Sequence, residues 1–213
     1  MKLEELIRGF GGLPFFDLPM IAQSTAERRQ VLQVQLSRWI KEGKLLGLRR
    51  GVYTLADELR RVPLAPIMLA NDLYRPSYLS GLWALGYYDL IPERVVWYTS
   101  VSPRGPRHFE NAVGVFDYRH VKQTLFFGYR TVDIAGRAVL VAEPEKALLD
   151  HWHLSPGEWT PARVQEMRYQ NTGRISEDRL KAWSARLQSP RLTRAVDRWL
   201  ALAKTLEEGT VNV

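Results

Sequence analysis

The sequence has 213 residues, 46% of them apolar, with 30 lysine and arginine residues against 23 aspartate and glutamate residues, a formal net charge of +7. This apolar content argues against disorder throughout the chain, and the absence of cysteine excludes disulfides, thiolate nucleophiles and cysteine-bound metals. No apolar run approaches the ~20 residues that cross a bilayer. The first residues, "MKLEELIRGF", carry two glutamates where a signal peptide has a basic end and an apolar core. We therefore expect a cytoplasmic protein, and the positive charge is compatible with a polyanionic partner or with solubility alone.

Three helices are predicted at the start of the chain. Apolar residues recur at helical spacing in "LEELIRGF", and a Gly-Gly pair ends this first helix. Asp17 is the expected N-cap of a second, short helix through "LPMIAQ". For the third helix we predict a capping box, with Ser24 as N-cap and Glu27 three positions later, and continuous helix up to Gly43.

The third predicted helix has one apolar and one polar face. The apolar stripe that we expect to face the core comprises Leu32, Leu36, Trp39 and Ile40. The opposite face carries glutamine, serine, arginine and a small apolar group, the residue types that contact base edges and phosphates in the major groove of DNA. The residues predicted to bind DNA from this helix and its start are Arg28, Arg29, Gln30, Gln33, Val34, Ser37, Arg38 and Lys41.

A β-hairpin is predicted next, because the strand-like segments "KLLGL" and "GVYTL" flank Arg49, Arg50 and Gly51. Helix, helix, helix, hairpin is the order of a winged helix-turn-helix, and we predict such a DNA-binding domain over residues 1–62. Exposed charges at a hairpin tip add almost nothing to stability. We therefore predict that Arg49 and Arg50 contact phosphate or the minor groove of DNA. The alternatives are a solvated polar helix face and a winged helix that binds protein.

Residues 63–213 are predicted to form a second, mixed domain, which makes the whole chain α+β. Helical patterning in "IMLANDLY" and "SYLSGLWALGYYDL" precedes segments rich in Val, Tyr, Phe and Thr. These segments predict a small, mainly antiparallel sheet over about 94–142, since short connections favour antiparallel neighbours. Helices are predicted over about 144–206, and the tail, 207–213, is expected to lack regular structure.

The sequence contains no pattern that predicts catalysis, and we expect no catalytic residues, no metal and no other cofactor. His151 and His153 would point about 200° apart on a helix, which does not suit a shared ion. An acidic residue on one strand followed by E-x-K on the next would indicate a metal-dependent nuclease. Asp133 is present, but the position two before Lys146 is Pro144, so this pattern is incomplete. No glycine-rich phosphate loop occurs in the sequence.

Four segments in order resemble the AbiEi family, the antitoxins of type IV abortive-infection toxin–antitoxin systems. They are "GKLLGLRRGVYTL", "YRPSYLSGLWALGYYDLIPE", "FENAVGVFDYRHVKQTLFFGY" and "VLVAEPEKALLDHWHL", which cover most of residues 25–154. The resemblance implies an N-terminal winged helix that binds inverted repeats in its own promoter and represses the operon. It also implies a C-terminal domain that neutralises a nucleotidyltransferase-like toxin, without requiring a stable complex with it.

The resemblance further implies functional basic and polar groups on the C-terminal domain. The candidates for this antitoxin surface are Arg75, Tyr78, Arg104 and Arg107. We thus predict a non-enzymatic repressor and antitoxin with double-stranded DNA as a partner and no membrane association. The alternatives are a transcriptional regulator without a toxin partner and a DNA-targeted nuclease that uses Asp133 or Glu145.

Overall fold

The computed structural model describes residues 1–134 and 136–211. The chain forms an α+β structure with two sheets, one of three strands and one of six, so the predicted fold class is confirmed at this level. It divides into unit 1, Met1–Leu73 with Phe109–Val115, and unit 2, Tyr74–His108 with Phe116–Val213. Within the described residues, no helix combines the length and the apolar content that crossing a membrane requires.

Unit 1 begins with three helices and a three-stranded sheet. The helices are α1 (Leu3–Phe10), α2 (Leu18–Gln23) and α3 (Arg29–Lys41), and a short α4 (Pro66–Ala70) follows the sheet. The strands are β1 (Phe16–Asp17), β2 (Leu45–Arg49) and β3 (Val52–Leu55), in the order β1-β3-β2 with antiparallel pairs. Residues 63–73, predicted from the sequence to belong to the second domain, are part of unit 1.

The core of unit 1 is formed by the helices and the sheet together. Its buried apolar residues are Leu6, Phe10, Phe16, Leu18, Ile21, Leu32, Leu36, Trp39, Leu45 and Leu55. The predicted stripe of α3 is thus buried except for Ile40, whose side chain is 37% exposed. Ile40 lies at the edge of the stripe, one residue before the helix ends at Lys41.

Helix α2 begins where the sequence predicts. The Asp17 carboxylate accepts a hydrogen bond from the backbone N–H of Met20 at 2.9 Å, which satisfies a donor of the first turn. At the other end, the Ser24 hydroxyl donates to the carbonyl of Ile21 at 2.8 Å. Ser24 therefore closes α2.

The capping box predicted for α3 is wrong. The helix begins at Arg29, after an extended Arg28 whose side chain makes no capping bond. Ser24 is engaged at the end of α2, and the Glu27 carboxylate accepts from the terminal amino group of Met1 at 2.7 Å. The S-x-x-E pattern is a local signal, and here both of its side chains have partners outside α3.

Unit 2 contains most of a six-stranded sheet. Its strands are β4 (Tyr78–Leu79), β5 (Tyr98–Ser102), β6 (Arg107–Asn111), β7 (Gly114–His120), β8 (Tyr129–Ile134) and β9 (Arg137–Ala142), in the order β6-β7-β5-β4-β9-β8. The sheet is mixed, since β5 runs parallel to β7 and β4 runs parallel to β9, and the expected predominance of antiparallel pairs stays a prediction. The β4–β5 and β8–β9 pairs are antiparallel. Strand β6 is at one edge of the sheet, and β7 lies between β6 and β5.

The helices of unit 2 are α5 (Gly81–Tyr87), α6 (Pro144–Leu154), α7 (Pro161–Glu166), α8 (Glu177–Leu187) and α9 (Pro190–Val211). Helix α6 starts at Pro144 as predicted, and Trp152, Trp159 and Trp199 are buried among the C-terminal helices. The tail prediction is wrong as far as Val211, where α9 ends. Residues 212 and 213 lie outside the described part of the chain.

Candidate nucleic-acid interface

A groove with a volume of about 410 Å³ lies in unit 1 between α3 and the β2–β3 turn. Arg29 and Gln33 of α3 line one side, and Arg49 and Arg50 line the other. Four of the ten predicted DNA-contacting residues therefore share one groove, although 16 or more positions separate the two pairs. The remaining lining residues are Asp17, Leu18, Pro19, Gly51, Val52 and Tyr53.

Local structure explains why these two pairs meet. Arg29 and Gln33 are four residues apart and so lie on the same face of α3. After α3 the chain reverses, with the N–H of Lys44 bonded to the carbonyl of Trp39 at 2.9 Å. The turn is fastened to the start of α2 by a 2.9 Å hydrogen bond from the N–H of Leu18 to the carbonyl of Gly51. Gly51 has φ of +80°, a conformation that glycine adopts without strain.

The groove presents uncompensated positive charge. Arg29, Arg49 and Arg50 are exposed, and among the described residues none of the three forms an ion pair with a carboxylate. Arg49 donates a 3.2 Å hydrogen bond to the carbonyl of Arg50, which leaves other guanidinium donors of both residues available. Asp17 is the one acid in the lining, and it caps α2. Such a surface is suited to phosphate oxygens.

The other predicted residues of α3 extend this surface or lie apart from it. Gln30, Val34, Ser37 and Lys41 are all exposed, and 71% of Val34 is accessible to solvent. Arg38 is exposed as well and lies 3.6 Å from the carboxylate of Glu42. Arg28 lines a different concave surface, together with Lys2, Glu5 and Glu27. Among the residues predicted to bind DNA from this segment, Arg28 is therefore the one that lies neither in the groove nor on the outer face of α3.

Two of the four antitoxin candidates in unit 2 are neighbours. The Arg104 guanidinium donates to the carbonyl of Arg75 at 3.0 Å and lies 4.8 Å from the centre of the Tyr74 ring. Arg107 is exposed at the start of β6. Tyr78 is not a surface residue, which corrects its assignment, because β4 lies between β5 and β9 and Tyr78 is fully buried.

Tyr78 belongs instead to a buried polar network that is not predicted from the sequence. Its hydroxyl accepts from Lys146 Nζ at 2.9 Å and donates to Asp150 Oδ2 at 3.0 Å. Lys146 also pairs with Asp150 Oδ1, and the Ser80 hydroxyl donates to Asp150 Oδ2 at 2.7 Å. Burial and the Asp150 charge raise the pKa of Tyr78 well above its usual value, so the hydroxyl stays protonated. The one sequence feature that could have indicated this network is a lysine and an aspartate four residues apart in the otherwise apolar segment "EKALLDHW".

The carboxylates of the nuclease alternative lie at different places. Asp133 is exposed near the far end of the β8–β9 hairpin, where it accepts from the N–H of Gly136 at 3.0 Å. Glu145 is buried in α6 and accepts from the N–H of Ser176 at 2.8 Å. Along β8 alone, Asp133 and Tyr129 are about 13 Å apart at the rise of an extended strand. Across the described residues, no group of three or more His, Asp or Glu side chains is arranged to hold a metal ion.

His151 of α6 is held neutral by its surroundings. Burial, with a smaller contribution from the positive charge of Arg163, lowers the pKa of His151 to about 4. Within the described structure its Nε2 is buried and has no hydrogen-bond partner, so a proton there would be an unpaired buried donor. The neighbouring His153 also has a lowered pKa, again mainly because of burial.

The folded chain should therefore lose stability in mild acid. The unfolded chain binds a proton at His151 near pH 6.5, whereas the folded chain does so only near pH 4. Between these values unfolding takes up a proton, so the free energy of unfolding is expected to fall by about 2 kcal/mol between pH 7 and pH 5. Urea unfolding followed by circular dichroism measures this. His151→Gln should flatten the dependence, whereas exposed His120→Gln should not; equal slopes for wild type and H151Q would contradict the assignment.

No protein-family model matches the sequence, and a search of curated proteins gave no match either. The resemblance to AbiEi antitoxins accordingly rests on the four segments quoted above.

Proposed function

We propose that the chain binds double-stranded DNA through unit 1, which acts as a winged helix with α3 as recognition helix and the β2–β3 hairpin as wing. The observation that carries this proposal is the groove shared by Arg29, Gln33, Arg49 and Arg50. Glutamine and arginine on one helix face supply base-edge and phosphate contacts, and the two arginines of the turn supply charge beside them.

The dimensions of α3 suit this role. Its 13 residues make a helix about 20 Å long, and the major groove of B-form DNA is about 12 Å wide, enough for one helix. In the proposed complex, Gln30 and Gln33 bond adenine edges and the exposed Val34 contacts a thymine methyl group. The hydrophobic side of α3 is buried in unit 1, so its polar side is free to enter the major groove of DNA.

In cellular terms we propose a repressor of its own operon that also acts as an antitoxin toward a nucleotidyltransferase-like toxin. The repressor role is supported by the groove of unit 1, and the antitoxin role by the resemblance of the four segments. One module of this size buries little DNA surface, so two copies on an inverted repeat are expected. A regulator without a toxin partner is the alternative, and the neighbouring gene distinguishes the two.

The proposal is tested by measuring affinity for the duplex upstream of the protein's own gene and for a shuffled duplex of equal composition. Fluorescence anisotropy at about 50 and 200 mM salt should show a loss of affinity of about 100-fold to 1,000-fold, as expected when about five phosphates are contacted. The upstream duplex should bind more tightly at both concentrations. A shallow salt dependence together with equal affinity for both duplexes would contradict DNA-specific binding.

A further inference from the structure

A strip of exposed side chains crosses the β5, β6 and β7 side of the sheet in unit 2. Trp97 precedes β5, and its ring meets the ring of His108 on β6 edge to face, with centroids 6.2 Å apart. Nδ1 of His108 lies 3.6 Å from Oδ1 of Asp117 on β7. Oδ2 of Asp117 lies 3.5 Å from the guanidinium of Arg119. These contacts make the strip continuous from an indole ring to a guanidinium group.

The tryptophan of this strip is largely exposed to solvent. Trp97 is 53% exposed, and the neighbouring Val96 is 69% exposed. An exposed indole offers a flat face on which an unstacked base can stack. The cation that the contacts connect to this strip is the exposed Arg119.

The strip ends in a pocket of about 220 Å³ between the sheet and helices α5 and α6. Its lining includes Asp117 and Arg119 of the strip, together with Gly81, Thr99 and His151. This volume is below that of a site for a drug-sized ligand and suits one ring system. The Asp117 carboxylate can accept hydrogen bonds from an amino group of a base, as carboxylates do with cytosine.

We propose that this strip and pocket bind single-stranded nucleic acid. One base stacks on Trp97, an adjacent base enters the pocket beside Asp117, and Arg119 contacts the backbone phosphates. Bases within a duplex are stacked on each other, so an exposed indole on a sheet can pair only with unstacked bases. This activity goes beyond the duplex binding of unit 1 and does not depend on it.

A protein partner is the competing occupant, since tryptophan and arginine also dominate protein hot spots. Two features favour nucleic acid. The strip joins the Trp97 ring to the polar side chains of His108, Asp117 and Arg119 instead of presenting an apolar centre, and Asp117 and Arg119 also line the adjoining pocket. Aromatic stacking combined with cations is the pattern of single-strand binding surfaces.

The test uses the full-length protein and fluorescein-labelled oligoadenylates of about eight nucleotides, one of RNA and one of DNA, within the usual site size of such surfaces. Wild type should bind at least one of them, and Trp97→Ala should weaken binding by about 10-fold or more. Trp97→Phe keeps a ring and should retain most of the affinity. Val96→Ala removes an exposed apolar group without removing a ring, so it is the matched control and should bind like wild type.

The Arg49→Ala/Arg50→Ala variant separates this proposal from the duplex-binding one, because it should keep single-strand binding. The comparison of the RNA and DNA oligomers shows whether a 2′-hydroxyl is recognised. The proposal is overturned if wild type binds neither oligomer up to about 100 µM, if W97A binds as well as wild type, or if binding is lost with R49A/R50A. If W97A no longer bound a protein partner but still bound the oligomers, the proposal would likewise be overturned, and the strip would be a protein-binding surface.

Discussion

Asp150→Asn is expected to lower the free energy of unfolding by about 3–5 kcal/mol. Asp150 is 1% exposed and is the only carboxylate bonded to Lys146, which is fully buried in the described structure. Asparagine nearly preserves the shape of the side chain but removes the negative charge, and an ammonium group is left in a medium of low polarity. Tyr78 and Ser80 also donate to Asp150, and they would then compete for a single amide oxygen.

Two further variants show whether charge burial is the cause. Lys146→Met combined with Asp150→Leu removes both charges, and such replacements of a buried pair are often neutral or stabilising, so the double variant should recover much of the loss. Glu177→Gln disrupts the Lys181–Glu177 pair, which joins the same charge types at the same i,i+4 spacing on the surface of α8. It should leave urea unfolding almost unchanged. If D150N unfolded like wild type, water would have to reach the pair, and the buried network would be wrong.

The elements that the sequence predicts well are those decided by neighbouring residues. Asp17 caps α2 because an aspartate just before a short helix bonds the donors of its first turn. The hairpin follows from two short apolar segments around Gly51, whose φ of +80° is a turn conformation. The wrong prediction at Ser24 is also local in origin. The Ser24 side chain could cap the start of α3 or the end of α2, and it bonds the end of α2.

The elements that the sequence misses depend on distant partners. The segment "SYLSGLWALG" has a helical pattern, yet its first part is strand β4, because Leu79 pairs with Ser100 on one side and Val141 on the other. That pairing buries Tyr78 and places it against Lys146 and Asp150. A charged pair in a helix is ordinarily expected on the surface, so spacing alone does not show that α6 is covered.

The candidate site depends partly on local sequence pattern and partly on contacts between distant segments. The polar face of α3 follows from helical periodicity, and its residues are exposed as predicted. The groove does not follow from periodicity, because it requires Arg29 of α3 to face Arg50 across the β1–α2 junction. That arrangement depends on the pairing of β1, only two residues long, with β3.

The double variant Arg49→Ala/Arg50→Ala should weaken binding to the upstream duplex by about 100-fold near 0.1 M salt, and should reduce the slope of log affinity against log salt by about two. Each arginine that neutralises a phosphate releases about one counterion, so losing two contacts has both effects. The two side chains are exposed and unpaired with carboxylates among the described residues, so urea unfolding should not change.

Arg168→Ala/Arg194→Ala is the matched control, since it removes the same net charge from exposed arginines of unit 2 that pair with Glu93 and Glu158. It should leave the affinity and the salt slope close to those of wild type. Normal binding by R49A/R50A would restrict the turn to a structural role. If the variant loses affinity equally for the upstream and shuffled duplexes, Arg49 and Arg50 contact phosphates; if the preference for the upstream duplex is lost as well, the turn also reads the minor groove.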